Sequence, residues 1–325
     1  MLEHGGGIRG AAARFGIPLS SWLDLSTGIN PNGYPVGNIP MPMWNRLPEE
    51  GDGLEVAARE YYGCDHLLPA AGTQAIIQTL PRLLPPGPVG IVSPTYGEHA
   101  HAWLKAGFEV VEIEQVSEHL LDRLAVLVVV NPNNPTARLV AKTTLRSWWH
   151  RLWNHGGWLI VDEAFMDANG DESLSADTGA GGLLVLRSVG KFFGLAGARV
   201  GFLLGPEPLL HQTREHLGPW NVAGPSRWVT TAALADRPWQ QHTRRALARD
   251  AERLTLLLET HGLKVAAKTA LFQWVPTNNP MALWGYLAQS GILVRRFDSP
   301  GGLRFGLPGT QADWLRLTQV LTGVV

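Results

Sequence analysis

From residue 88 onward the chain alternates between short, unbroken apolar runs and stretches whose apolar residues recur every three or four positions. PVGIVS (88–93), FEVVEI (108–113), LAVLVVVN (124–131), WLIVDEA (158–164) and LLVLRS (183–188) read as strands, with helical spacing between some of them at 97–106 and 142–154. Continuous apolar strands separated by helices predict a mainly parallel sheet covered on both faces, with ligands bound beyond the carboxyl ends of the strands. Upstream, GLEVAAREYY (53–62) and TQAIIQTL (73–80) have helical spacing, the second bounded by Gly72 and cut by Pro81. Downstream, a strand at 198–204 leads into a helix in GPEPLLHQTREHLG, WNVAGPSRW (220–228) breaks the pattern, and a long charged helix covers 238–261. Strands at 263–266, 271–275, 292–296 and 302–306, with helices near 280–289 and 311–322, form a second αβ unit. Residues 1–47 are rich in Gly, Pro and Asn, with LSSWLDLS their main apolar stretch, and read as an extended arm. The expected division is an arm at 1–47 that packs with the small domain, a large domain at 48–220 and a small C-terminal domain at 221–325. The fold class is α/β.

Composition narrows the picture without changing it. A chain of 325 residues, 45% hydrophobic, can bury a substantial core. Lys and Arg number 27 against 28 Asp and Glu, with no long run of one sign, so neither a nucleic-acid surface nor a membrane surface is indicated. Cys64 is the single cysteine, which excludes an intrachain disulfide and a cysteine-cluster zinc site, and no metal site is expected. With no apolar signal-peptide core and no 18-residue apolar run, the expectation is a cytoplasmic protein. The thirteen tryptophans are scattered, Trp148, Trp149, Trp153 and Trp158 lying on and after one helix, which favours packing over a binding platform.

The polar candidates gather at strand ends. Gly72-Thr73-Gln74 opens a helix after a short apolar strand, aiming backbone N–H groups and the helix dipole at an anion. In SVGKFFGLAGARVGF (188–202), Lys191 sits among glycines and aromatics, where an apolar pocket and a neighbouring cation favour the neutral amine that imine chemistry needs. Ser188 and Arg199, on either side of it, are able to reach one anion. Tyr96 in SPTYGEH lies just past a strand end, where its ring can stack on a flat heteroaromatic. NPNNPT (131–136) forms a rigid turn that exposes side-chain amides. VDEAF (161–165) ends a strand with two acids, and an acid at that depth needs a cationic partner to stay ionised; Asp162 is the candidate, while Glu163 points the other way and is structural. Arg295 and Arg296 in ILVRRF offer a further anion site. Each piece also has a plain structural explanation: a helix cap, a loop lysine beside a structural arginine, a tyrosine over the sheet edge, a solvated edge. No GxGxxG fingerprint or P-loop is present, so dinucleotides and nucleoside triphosphates lack their usual sites.

The succession GTQ, SPTY, NPNNPT, DEAF, SVGK with Arg199, and finally LRF resembles the fold-type I enzymes that use pyridoxal phosphate (PLP), the aspartate-aminotransferase superfamily. Within it the chain is most similar to the branch of histidinol-phosphate aminotransferase and threonine-phosphate decarboxylase. The opening HGGGIRGAAARFGIPLSSWLDLSTGINPNGYP, with DEAF and GPWNVAGP, looks like the decarboxylase type of cobalamin biosynthesis. The resemblance implies an aspartate-aminotransferase-like fold and a set of roles. Lys191 would bind the cofactor aldehyde and Asp162 its pyridine nitrogen, with Asn134 on the phenolic oxygen and Tyr96 against the ring. Gly72, Thr73, Gln74, Ser188 and Arg199 would hold the phosphate. Arg304 would clamp the substrate carboxylate, which suits a planar bidentate group, with His4, Gly28 and Arg295 as further substrate contacts. The reaction implied is decarboxylation of L-threonine O-3-phosphate to (R)-1-amino-2-propanol O-2-phosphate, by a homodimer acting on a small phosphorylated amino acid. A histidinol-phosphate type of aminotransferase and a non-catalytic binding module are the alternatives. Four positions depart from the family pattern: Gly7 stands where asparagine is usual, Leu47 and Phe165 where tyrosines are common, and Ala137 where glycine is usual.

Overall fold

The computed structural model describes residues 4–323. The chain divides into two compact units, one of residues 34–134 and 139–240, the other of the chain up to Gly33, Pro135–Arg138 and the chain from Gln241 onward. The first is built on a seven-stranded sheet. In spatial order its strands are Leu67–Ala70, Gly201–Leu204, Leu183–Ser188, Trp158–Asp162, Val126–Val130, Val89–Val92 and Val110–Ile113. Gly201–Leu204 runs antiparallel to both its neighbours, and the remaining pairings are parallel. Val126–Val130 and Leu183–Leu186 are buried along their length, as strands covered on both faces must be. One core joins Val126, Val128, Ile160, Leu184 and Leu203 of the sheet to Ile76, Ile77 and Trp103 of the flanking helices. Burying this apolar surface is the main force that aligns the strand ends, where the polar candidates sit.

The tryptophans on and after the 142–153 helix serve packing, as expected: Trp149 donates its indole N–H to the Gly181 carbonyl at 2.9 Å, and Trp153 meets Trp158 edge-on. Trp153 also covers Gly181 and Gly182 so closely that neither has room for a side chain.

The second unit has a four-stranded antiparallel sheet in the order Arg295–Phe297, Gly302–Gly306, Phe272–Pro276, Ala267–Lys268. A separate parallel pair joins Leu23–Asp24 to Ile292–Leu293. Helices Ile8–Phe15, Pro280–Gln289 and Gln311–Leu321 belong to the same unit.

Several local expectations need correction. The arm is not extended throughout: Ile8–Phe15 is helical, and its Ile8, Ala11, Ala12 and Phe15 face Trp22, Trp284 and Leu293. The apparent break at 220–228 contains the start of helix Gly224–Ala235, in which the Gly-Pro pair occupies the first turn, where proline's missing N–H costs nothing. The strand expected at 263–266 lies at Ala267–Lys268, and that at 292–296 is two strands broken at Val294. The units divide at 33/34 and 240/241, whereas the sequence suggested 47/48 and 220/221. The reason lies in helix Gly224–Ala235, which belongs with the larger unit: Arg227 pairs with Asp52 at 2.6 Å and Glu55 at 2.9 Å, and Gly224 lies against the Met43 carbonyl with no room for a Cβ.

Candidate active site

In the larger unit, a cup forms where three segments converge. Ser188 is opposite Gly201 in the strand ladder, and a Cβ on Gly201 would lie 2.5 Å from the Thr73 backbone nitrogen. The absence of a side chain there lets helix Thr73–Thr79 start directly over the strand. Gly72 has φ +81°, and a Cβ on it would lie 2.5 Å from Nη2 of Arg199. Arg199 itself is left-handed, with φ +53°, a conformation that a non-glycine residue holds only where its surroundings enforce it. Ser188, Arg199 and the N-terminal turn at Thr73 are therefore neighbours, and a hydroxyl, a guanidinium and helix N–H groups suit a phosphate.

The Gln74 side chain has partners of its own, which leaves its backbone N–H as the part of it that belongs to the helix start. Its side chain is engaged beside the cup, Nε2 donating to Glu98 at 2.5 Å and Oε1 accepting from the Tyr96 hydroxyl at 3.4 Å. Burial, then the charges of Glu98 and Asp162, push the Tyr96 phenol up to about 12, so it stays a neutral donor.

Asp162 ends its strand beside Val130 and Leu186 and is 3% exposed. Its Oδ2 lies 2.9 Å from Nε2 of His99, and its Oδ1 accepts the Ala164 N–H at 3.1 Å. His99 escaped the sequence reading, since a pairing across 63 residues leaves no local pattern; the available signal was its place three residues after Tyr96. Glu163 points away as expected, into a buried cluster where Arg187 reaches it at 2.6 Å and Asp167 at 2.7 Å. Lys191 places its Nζ 5.3 Å from the centroid of the Phe165 ring.

The Asn-Pro turn corrects another expectation. Two of its amides are used inside the fold: fully buried Asn131 brackets Val140 with two hydrogen bonds, and Asn133 binds the Pro94 carbonyl and the Thr95 hydroxyl. Asn134 remains half-buried. Ala137 has φ +57°, a left-handed backbone of the kind that glycine, the residue expected there from the resemblance, adopts at least cost.

The smaller unit carries the second set of candidates. Arg295 and Arg304 are directly opposite on adjacent strands. Arg304 is 4% exposed, donates through Nη2 to the Ser26 carbonyl at 2.5 Å and lies 5.2 Å from the Phe272 ring centre. Burial, then the charge of Arg295, lowers its guanidinium to about 9, while Asp24 acts in the opposite sense. Two cations held together this way favour an anion. Arg296, which lines the same cavity as Arg295, is also paired with Asp298 at 3.1 Å. His4, Gly5, Ser26 and Arg295 line one cavity of about 290 Å³, and Gly28 lies nearby in sequence with φ +61°.

These residues fit the cofactor that the resemblance implies. The Arg199–Gly72 contact and the Ser188–Gly201–Thr73 convergence make a phosphate cradle, and a buried carboxylate with spare lone pairs suits a protonated ring nitrogen. Among the described residues no group of His, Cys, Asp and Glu is arranged to hold a metal, and no helix is long and apolar enough to cross a membrane.

The chain is similar to known proteins over nearly its whole length. A threonine-phosphate decarboxylase of Pseudomonas aeruginosa is 53% identical over 99% of this chain and 98% of its own length. Another, from a Sinorhizobium species, is 41% identical over 98% of this chain and 97% of its own. The crystal structure of histidinol-phosphate aminotransferase from Clostridium acetobutylicum superposes with a TM-score of 0.81 at 21% identity, covering 93% of this chain and 98% of that one, which shows the PLP fold-type I architecture. The family "Aminotransferase class I and II" matches residues 52–321, most of the chain, and the protein belongs to that family.

Proposed function

We propose that this protein is a PLP-dependent lyase that decarboxylates L-threonine O-3-phosphate to (R)-1-amino-2-propanol O-2-phosphate in cobalamin biosynthesis. The observation that carries this reading is the 53% identity, over nearly the whole of both chains, to a threonine-phosphate decarboxylase. When bound, PLP supplies an electron sink for the pair left on Cα as carbon dioxide departs. The residues of the chain do the rest. Asp162, oriented by His99, holds a proton on the ring nitrogen; Ser188, Arg199 and the helix start at Thr73 take the phosphate. The Tyr96 ring is fixed through Gln74 and Glu98. The Lys191 amine is the group that anchors the cofactor and can return a proton to Cα, so that each lost CO₂ is replaced by one proton. In the other unit, Arg304 and Arg295, with His4 and Gly28, take the carboxylate and phosphate of the substrate.

We assign the working form to a homodimer acting in the cytoplasm. A doubly charged substrate phosphate does not cross a membrane unaided. Large exposed apolar side chains on the larger unit, Met41, Trp44, Trp220 and Trp228 among them, suit a second copy.

The test is to supply threonine phosphate and histidinol phosphate, each with and without 2-oxoglutarate. Release of CO₂ from threonine phosphate without a keto acid is expected, and keto-acid-dependent turnover without CO₂ would overturn the reading. Lys191→Ala is expected to abolish turnover and the visible cofactor band while leaving the circular dichroism unchanged.

A further inference from the structure

Four hydrogen bonds in the smaller unit converge on Ser26. Its Oγ accepts the Gly6 N–H at 2.8 Å and donates to Oδ1 of Asp24 at 2.6 Å, while its own N–H donates to the same oxygen at 2.9 Å. Its carbonyl accepts Nη2 of Arg304 at 2.5 Å. Ser26 is 2% exposed, so none of these groups has water as a ready substitute. Gly5 passes so close that a methyl group built on it would overlap the Ser26 carbonyl oxygen. Ser26 and the glycine loop line the same cavity as His4 and Arg295.

We propose that Asp24 and Ser26 are positioning residues, a clip that fixes the His4–Gly7 loop and the Arg304 guanidinium to one point and so sets the geometry in which the substrate's anions are received. The proposal rests on the substrate reading given above. Neither residue needs to touch the substrate. Ser26 acts through two different groups, the hydroxyl on the loop and the carbonyl on the arginine, while Asp24 holds the hydroxyl and amide that orient both. The charge of Asp24 also favours ionised Arg304, against the burial and the Arg295 charge that oppose it.

Ser26→Ala keeps the carbonyl and removes the hydroxyl. With the full-length holoenzyme, it is expected to raise KM for threonine phosphate about tenfold, the loss of a buried hydrogen bond worth about 1.4 kcal/mol, with kcat and the cofactor band changed less than twofold. Ser26→Thr, which retains the hydroxyl, should recover most of the loss. Gly5→Ala, which disturbs the same junction from the loop side, should mimic Ser26→Ala. Asp24→Asn should move the alkaline limb of kcat/KM to lower pH, because Arg304 loses the charge that supports its proton; a merely structural residue would not move that limb. An unchanged KM in Ser26→Ala, or a loss of cofactor equal to the loss of substrate binding, overturns the clip. Calorimetric titration of inorganic phosphate into wild type and Ser26→Ala separates this result from the choice of reaction. Weaker phosphate binding in the variant supports the clip whether or not threonine phosphate is decarboxylated, and equal binding refutes it.

Discussion

Arg304 is a cation where cations are costly, and its behaviour with pH follows. Its guanidinium, lowered to about 9 by burial and Arg295, is fully charged at neutral pH and releases its proton well below the usual arginine range. Because the folded value lies below the unfolded one, the charge costs stability at every pH below about 9, and the cost is relieved as pH rises past that value. On the proposed role of Arg304, substrate binding runs the other way, since only the charged form holds an anion. The expected profile is a kcat/KM that falls above about pH 9 while kcat persists to higher pH, because bound substrate raises the arginine's affinity for its proton. Parallel alkaline limbs for both quantities would place the substrate's anions elsewhere. In the other unit, Asp162→Asn should lower kcat by several orders of magnitude, since an amide cannot hold the ring proton as a carboxylate does, and His99→Ala by less, because it orients the carboxylate without replacing it. Single-turnover rates at saturating cofactor measure both.

Among the elements, helix Gly224–Ala235 shows most clearly what holds the larger unit together. Arg227, its side chain 6% exposed, meets Asp52 and Glu55 from the turn and helix around Leu54. Arg227→Ala strands two carboxylates and is expected to cost about 3 kcal/mol in denaturant unfolding, whereas a change below about 0.5 kcal/mol would show the pair to be solvated. Hydrophobic periodicity could not find this helix, because its first turn is Gly-Pro-Ser, which reads locally as a loop. Helix Ile8–Phe15 was hidden for a related reason: it is short, with glycines at 7, 10 and 16, so it reads locally as an arm, and it is fixed by packing on Trp22 and Trp284. The strands of the large sheet were legible because burial on both faces forces unbroken Val, Leu and Ile runs. Strand termination put Asp162, Ser188 and Tyr96 at or just past strand ends, while the roles expected of them came from the family resemblance. What could not be read were the partners. Gln74 bound to Glu98, His99 on Asp162 and Ser26 beneath Arg304 are contacts between segments far apart in sequence.

For the molecule as a whole, the unspent surface is informative. On the larger unit Met41 is 67% exposed, Trp44 60%, Leu47 63%, Trp220 59% and Trp228 47%. They sit on elements that adjoin: helix Pro42–Asn45 packs on the start of helix Gly224–Ala235, and Pro48 and Trp220 line one cavity of about 300 Å³ with Glu49, Arg214 and Asn221. Leaving several large apolar side chains in water is uncommon for a protein that works alone, and tryptophans of this kind are the residues that dominate stable interfaces. A second copy buries such a patch against the cost of two-body entropy, side-chain ordering and polar desolvation, and each tryptophan contributes on the order of 2 kcal/mol. Light scattering at micromolar concentration is therefore expected to give twice the chain mass for the wild type. Trp44→Glu combined with Trp228→Glu should give the single chain mass with unaltered circular dichroism, since both side chains lie largely outside the core. Fully active wild-type monomer would refute the interface. A double variant that remains dimeric would move it to another face.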